Sequence, residues 1–338
     1  MFKLVKLKDV ATHSKGKQIN GDLLIEDGDY DYLNGGINPS GKWNDYNTEG
    51  NTVTISEGGN SSGYVNFMDR PFWCGAHCYY LYDLKIKPKY LYYALKSQES
   101  RIMNLRTGAT MPNIKKSILG EFEFNINYDK KTQDKVTQVI DNVANIIQKR
   151  QQQLQEYDQL IKSRFVEMFG DTKTNSKKLP LVKPEEICES ISAGGDRPDE
   201  VSSIKTTDFA YPIFSNGEKD DGLYGWSKEY RIEKPSVTVS GRGTIGYSSY
   251  RKDGKFTPIV RLIVMTPNEK VNPVYLTYYL NLEREEGSGS GVQQLTVPMI
   301  KSKKIMLPEL IKQNKFAEFV EQVDKLKFEV LKLLRELR

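Results

Sequence analysis

The sequence predicts a mixed α/β (α+β) chain with two tandem globular units of short strands and helices. The units are separated by two long helices packed as an antiparallel coiled coil. Three observations predict this. A series of motifs occurs twice in one order, about 180 residues apart, the mark of a duplicated module. Gly- and Pro-rich turns punctuate short β-branched and aromatic runs in both halves. A heptad-patterned segment follows each half.

The repeat is explicit. Val53-Thr54-Ile55-Ser56 returns as Val237-Thr238-Val239-Ser240. Lys87-Pro88-Lys89-Tyr90-Leu91 returns as Asn272-Pro273-Val274-Tyr275-Leu276, and Gln133-Asp134-Lys135 returns as Gln313-Asn314-Lys315 before a second apolar helix.

Residues 1–128 read as the first unit. Val53 to Ser56, Gly63 to Phe67 and Cys78 to Leu84 have strand composition, and Lys89 to Asn104 has helical spacing. Residues 129–170 read as one spacer helix. Val136, Ile140, Val143, Ile147, Leu154, Tyr157, Ile161 and Met168 occupy one heptad frame, Arg150 and Arg164 fill its remaining seam positions, and Gly170 stops it. Residues 171–308 read as the second unit, opening on a polar linker. Its strand candidates are Ser236 to Ser240, Thr244 to Tyr247 and Ile259 to Met265, followed by a helix over Pro273 to Leu282. Residues 309–338 read as the second long helix, with a seam of Phe316, Phe319, Val323, Leu326, Val330, Leu333 and Leu337. Such seams want partner helices, and each other is the nearest choice.

At 338 residues the chain is long enough for two cores, and its net charge of +5 permits nucleic-acid binding without demanding it. No apolar run is long enough to span a bilayer, and the first residues lack a secretory pattern. The three cysteines, Cys74, Cys78 and Cys188, lack the paired spacing of a metal site and read as small buried residues. A reducing, cytoplasmic setting is expected.

Catalytic motifs are missing from the sequence. No Pro-Pro occurs, so the loop that holds a flipped adenine in an amino-methyltransferase is lacking. No phosphate-binding GxxxxGK[ST] loop occurs. Gly241-Arg242-Gly243-Thr244-Ile245-Gly246 has the letters of a dinucleotide loop but sits between strand candidates rather than opening a helix. Two histidines, His13 and His77, give little support to a hydrolase.

The string Leu160-Ile161-Lys162-Ser163-Arg164-Phe165-Val166-Glu167-Met168-Phe169-Gly170-Asp171 resembles the end of the central helix in specificity subunits of type I restriction-modification systems. Leu105 to Ile114 and Gly289 to Ile300 resemble the loop before the last strand in that family's target-recognition domains. The resemblance covers essentially the whole chain. It implies a non-catalytic subunit whose two target-recognition domains each read half of a split double-stranded DNA site, with the helices fixing the separation. It also implies two methyltransferase subunits as partners, carrying S-adenosylmethionine and the adenine chemistry, with motor-nuclease subunits joining for restriction. No cofactor is expected in this chain. The C-terminal helix is shorter than the central one and lacks a second Met-Phe-Gly-Asp end, so the pseudo-two-fold repeat is imperfect.

Major-groove reading uses Arg or Lys on guanine and Asn or Gln on adenine. The DNA-binding candidates are Lys42, Trp43, Asn44, Asn60, Arg106, Thr107 and Thr110 in the first unit. In the second they are Lys219, Tyr224, Arg242, Arg251, Lys252, Gln293 and Gln294. Arg106 and the Gln293-Gln294 pair occupy matching places beside Gly-rich flanks, which allow close backbone approach. Partner docking is expected on the outward helix face near Arg150, Gln155, Arg164 and Met168. The competing reading is a two-headed scaffold for proteins or glycans; only a DNA reader would bind duplex with steep salt dependence.

Overall fold

The computed structural model describes residues 2–108, 110–284 and 294–337. The chain forms two compact units, Met1–Ile146 and Ile147–Arg338. The boundary falls inside one long helix, so each unit keeps part of it instead of leaving it as a separate spacer.

The first unit contains β1 (Lys3–Lys6), α1 (Leu7–Val10), β2 (Thr12–Lys15), β3 (Tyr30–Leu33), β4 (Gly41–Trp43), β5 (Thr52–Ser56), β6 (Val65–Met68), β7 (Phe72–Cys74) and β8 (Cys78–Tyr82). There follow α2 (Pro88–Lys96), α3 (Glu99–Met103), α4 (Lys116–Gly120), β9 (Glu123–Ile126) and the start of α5 (Lys130–Phe169). The strands form a ribbon β1-β9, a sheet β2-β8-β5-β6 and a sheet β4-β3-β7.

The second unit contains β10 (Leu181–Val182), α6 (Pro184–Ile187), β11 (Cys188–Ala193), β12 (Tyr211–Phe214), β13 (Leu223–Ser227), β14 (Ser236–Val239), β15 (Ser248–Arg251), β16 (Thr257–Pro258) and β17 (Ile263–Pro267). It continues with α7 (Pro273–Leu282), α8 (Val297–Ser302), β18 (Ile305–Met306) and α9 (Leu310–Glu336). Its sheets, β10-β18, β11-β17-β14-β15 and β13-β12-β16, repeat the first unit strand for strand. Even the parallel pairs correspond, β3 with β7 and β12 with β16.

The central strands explain why the repeated motif is nearly all apolar. β5 and β14 lie inside their four-stranded sheets, and Val53, Ile55, Val237 and Val239 are at most 1% exposed. A strand covered on both faces reads as a continuous apolar run. The repeated Gln is equally structural. Gln133 accepts a hydrogen bond from Lys87 N at 2.9 Å and donates to Asn127 O at 2.7 Å. Gln313 accepts from Asn272 N at 2.8 Å and donates to Pro308 O at 2.7 Å. Both side chains are buried and tie the start of a long helix to the N-cap of α2 or α7. Proline at the first turn suits both short helices, since its missing N–H would be unpaired there anyway.

All ten seam positions of α5, from Val136 to Met168, are half-buried or buried. Gly170, at φ +84°, ends the helix with its N–H on Val166 O at 2.7 Å. Within the second unit, the later part of α5 pairs antiparallel with α9: Asp158 meets Lys327 Nζ at 2.6 Å, whereas Phe165 packs on Phe316 at 5.3 Å. Phe165, Phe169, Tyr275 and Phe316 form one aromatic cluster, with Phe165 stacked on Tyr275 at 5.4 Å. This cluster gives the Arg-Phe-Val-Glu-Met-Phe-Gly-Asp string its structural reason.

Four expectations need correction. The α9 seam is Phe316, Val320, Val323 and Val330, with Lys327 in the remaining heptad place; Leu326, Leu333 and Leu337 are exposed. α9 packs on α7 as well as α5, and Tyr278 meets Phe316 at 5.5 Å, which turns Val320 inward. The expected helix over Lys89 to Asn104 is two helices, broken at Ser97-Gln98. Thr244 to Tyr247 is a turn, because Gly243 and Gly246 take φ of +65° and +83°, outside strand geometry. The strand expected from Ile259 begins only at Ile263, because Val260 and Arg261 adopt φ of +53° and +59°.

Candidate nucleic-acid interface

The loops beyond the four-stranded sheet of the second unit gather a basic cleft. It has a cavity volume of about 330 Å³ and is lined by Gly194, Gly195, Asp196, Arg197, Arg242, Val260 and Arg261. Arg197 follows β11, Arg242 lies in the β14–β15 turn, and Val260-Arg261 links β16 to β17. Asn216, just after β12, braces the cleft. Its Oδ1 accepts Gly241 N at 2.7 Å and Arg242 N at 3.3 Å, and its Nδ2 donates to Val260 O at 2.7 Å. Val260 N and Arg261 N donate to Gly195 O and Gly194 O at 2.9 and 3.0 Å. A β-branched residue at positive φ is a genuine conformational outlier, held only where surroundings over-determine it.

Among the described residues, the hydrogen-bond partners of Arg242 and Arg197 in the cleft are neutral. Arg242 Nη2 donates to Gln294 Oε1 at 3.1 Å, and Arg197 Nη1 donates to the Tyr224 hydroxyl at 3.2 Å, which holds its pKa up. Thus Arg242 and Gln294 come together, and Tyr224 meets Arg197. Arg197 and Arg261 lie outside the residues singled out from sequence. Arg197 sits in a charge-mixed loop, and Arg261 follows an apolar run that reads as one strand.

Other candidates fall elsewhere. Lys219 is exposed in a turn whose Asp220 and Asp221 take φ of +50° and +54°. Arg251 corrects the sequence reading: it is 8% exposed, lies 3.7 Å from the Phe214 ring, and donates to Asp221 O at 2.6 Å and Thr238 Oγ1 at 3.0 Å. Burial pushes its pKa down to about 10. It holds the Lys219 turn and has no free fork for a base. Lys252 is exposed but sits at the far end of β15 from the Arg242 turn. Gln293 lies outside the described residues.

In the first unit, Arg106 Nε donates to Met103 O at 2.6 Å and Nη1 to Asn60 O at 3.4 Å, bringing two candidates together. Thr107 pairs with Asn113 across the same loop, and Thr110 is exposed beside it. Lys42 and Trp43 belong to β4 of the other sheet, and Asn44 follows them. By strand register, Gly58 and His77 take the places of Arg242 and Arg261. Glu57 stands between them, held by Lys15 Nζ at 2.5 Å and His77 Nδ1 at 3.2 Å.

On the long helices, Gln155 is exposed and Arg150 is half-buried, donating to Gln153 Oε1 at 2.7 Å. Arg164 is half-buried, lying over the Phe319 ring at 5.8 Å and pairing with Glu167 at 2.8 Å, and Met168 packs against the core of the second unit. Leu160 and Val166 on α5 are exposed apolar side chains off the heptad frame, and Leu326 and Leu333 on α9, expected in the seam, are exposed as well. Among the described residues, no helix is long and apolar enough to cross a membrane, and no His/Cys/Asp/Glu cluster could hold a metal. Cys74, Cys78 and Cys188 are free and buried.

Duplicated α/β modules, each joined to a long helix and each with polar turns at the matching sheet end, define a class of tandem recognition proteins. The model of the type I restriction modification DNA specificity domain family matches residues 1–156 and 180–337, and the chain belongs to that family. A putative type I specificity subunit of Mycoplasma pneumoniae is 27% identical over 326 residues, covering 92% of this chain and 86% of that protein. The crystal structure of a type I restriction-modification S subunit from M. genitalium shares the fold, with a TM-score of 0.71, 22% identity, and coverage of 100% of this chain and 93% of that one. A structure from a study of complex assembly and conformational transition of the type I restriction-modification system aligns at TM-score 0.53 and 13% identity, over 99% of this chain and 94% of that one. The protein is a DNA specificity subunit; the scaffold reading gains no support from these relatives.

Proposed function

We propose that each unit reads one half of a bipartite duplex site and that the helices set the distance between the halves. The observation that carries this is the strand-for-strand duplication, in which matched turns present different side chains. One backbone plan used twice with different side chains suits two unlike half-sites. α5 is one unbroken helix of 40 residues, roughly 60 Å at the standard rise, and supplies a fixed length.

The chain itself performs no chemistry in this reading. Two methyltransferase subunits, bearing S-adenosylmethionine, dock on the long helices; Gln155 and the exposed Leu160, Val166, Leu326 and Leu333 are the proposed contact face. Motor-nuclease subunits complete a restriction complex in the cytoplasm. In the first unit Asn60, Arg106, Thr107 and Thr110 form the proposed DNA loop, and in the second Lys219, Tyr224, Arg242 and Gln294 contribute.

The test is co-purification with a type I methyltransferase subunit, followed by mapping of methylated adenines. Two fixed sequence blocks separated by a constant gap are expected. Removing the two heptads between Val136 and Arg150 keeps the seam in frame and should change the gap while leaving both blocks intact. A gap that stays the same after the deletion overturns the ruler.

A further inference from the structure

We propose that the arginine cleft of the second unit is a guanine-reading, phosphate-clamping site, in which Arg242 takes the guanine edge and Arg197 and Arg261 take flanking phosphates. This rests on the DNA-reading function above and adds an unequal division of labour between the two units.

Four observations converge. Among the described residues, Arg197, Arg242 and Arg261 line one cavity together with a single carboxylate residue, Asp196. A fourth arginine stands beside it, since a Cβ on Gly195 would lie 2.8 Å from Arg231 Nη1. Arg197 and Arg242 bond to neutral oxygens, on Tyr224 and Gln294, so neither pair cancels the charge. The backbone beneath is braced, with the Arg242 N–H on Asn216 and the strained Val260-Arg261 pair locked to Gly194 and Gly195.

The geometry favours a base edge for Arg242 over a second phosphate contact. Its turn is flanked by Gly241 and Gly243, so the backbone can approach the groove closely. Gln294 engages one terminal nitrogen and steadies the fork, leaving donors suited to guanine O6 and N7. Gln294 is therefore an orienting residue, not an adenine reader. Arg197 and Arg261, on separate connections around the same cavity, are placed to take the backbone on either side. At the two places that register matches, the first unit carries Gly58 and His77 instead of Arg242 and Arg261, and Lys15 at the same sheet end is paired with the Glu57 carboxylate. The second unit thus supplies the larger share of the salt-dependent affinity.

The experiment uses the complex of the full chain with its methyltransferase. Arg242→Ala should relax one guanine position in one block of the methylation motif and leave the other block unchanged, with cognate affinity falling about 5- to 150-fold. Arg242→Lys keeps a guanine-capable charge without the planar fork and should relax the same position less than Arg242→Ala. Arg197→Ala and Arg261→Ala should weaken binding to all duplexes alike, each reducing the slope of log K against log salt by about 0.9. An unaltered motif with Arg242→Ala, or an unaltered salt slope in both phosphate variants, overturns the assignment. A wild-type complex that methylates without any fixed sequence would instead overturn the DNA-reading function itself.

Discussion

The two units share every strand pairing and differ in what fills the matched places. Register sets Met68 opposite Thr52 in the first unit and Arg251 opposite Ser236 in the second. Met68 packs with an apolar group around Leu33, whereas Arg251 lies on Phe214 and hydrogen-bonds the turn beyond it. At the sheet ends, a carboxylate held by Lys15 and His77 in one unit corresponds to a cleft of arginines in the other. The interiors diverge too. The second unit includes the aromatic cluster joining α5, α7 and α9, while in the first unit Val136 and the buried Gln133 join α5 to the rest of the unit. A duplicated backbone has kept its hydrogen-bond plan while its side chains at equivalent points have separated. Specificity can therefore change in one unit without renegotiating the fold of the other.

The largest effect that would test this separation is Phe165→Ala. Removing a fully buried aromatic should cost the second unit about 3–5 kcal/mol. Hydrogen exchange should show β14 losing protection while β5 keeps it; equal losses in both would break the comparison. Next come the matched glutamines. Gln133→Ala and Gln313→Ala each leave a buried backbone N–H and carbonyl short of a partner, at about 1–3 kcal/mol apiece. Denaturant unfolding should give similar costs that add in the double variant, and a strongly unequal pair would show that the two helix starts are not equivalent.

The smallest effect concerns a joint whose charge signs are reversed between the units. Lys6 and Lys8 bind Glu121 after α4 in the first, whereas Glu185 of α6 binds Lys301 of α8 in the second. Hydrogen bonds from Lys6 and Lys8 hold the Glu121 pKa down to about 2 from its usual 4.5. A carboxylate with a lowered folded pKa stabilises above its unfolded value, and the gain is lost as pH falls from 4.5 toward 2. Glu121→Gln should therefore be slightly less stable than wild type at neutral pH and indistinguishable at pH near 2, as read by thermal melting. The pair is exposed, so the difference should be small. A gap between the two proteins that persists in acid would refute the linkage.

Much of the architecture was written in periodicity. The α5 heptads, the central apolar strands and the repeated Pro-Tyr-Leu and Gln motifs are local patterns, and local patterns survive in a sequence. The α9 seam was not readable, because a helix with two neighbours buries a face set by both, and Val320 is chosen by α7 as much as by α5. Arg251 looked like a loop reader because its partners Phe214 and Asp221 are distant in sequence. The cleft was half legible. Arg242 announced itself between glycines, but Arg261 takes a left-handed backbone with no glycine to signal it, directly after apolar residues that read as strand. Of the exposed apolar residues on the long helices, Leu160 and Val166 lie off the heptad frame, and Leu326 and Leu333 sit where a seam was expected.

One small element has a wide consequence. The two-stranded ribbons bring the entry and exit of each unit side by side, Lys3 against Ile126 and Lys6 against Glu123 in the first, Leu181 against Met306 in the second. Everything between those ends is a detour that departs from and returns to one spot. Such a detour can be replaced wholesale by a foreign segment with the same two ends, and the helix that follows would begin where it did before. New DNA targets can in this way be acquired by cassette exchange, leaving the remainder of the polypeptide untouched.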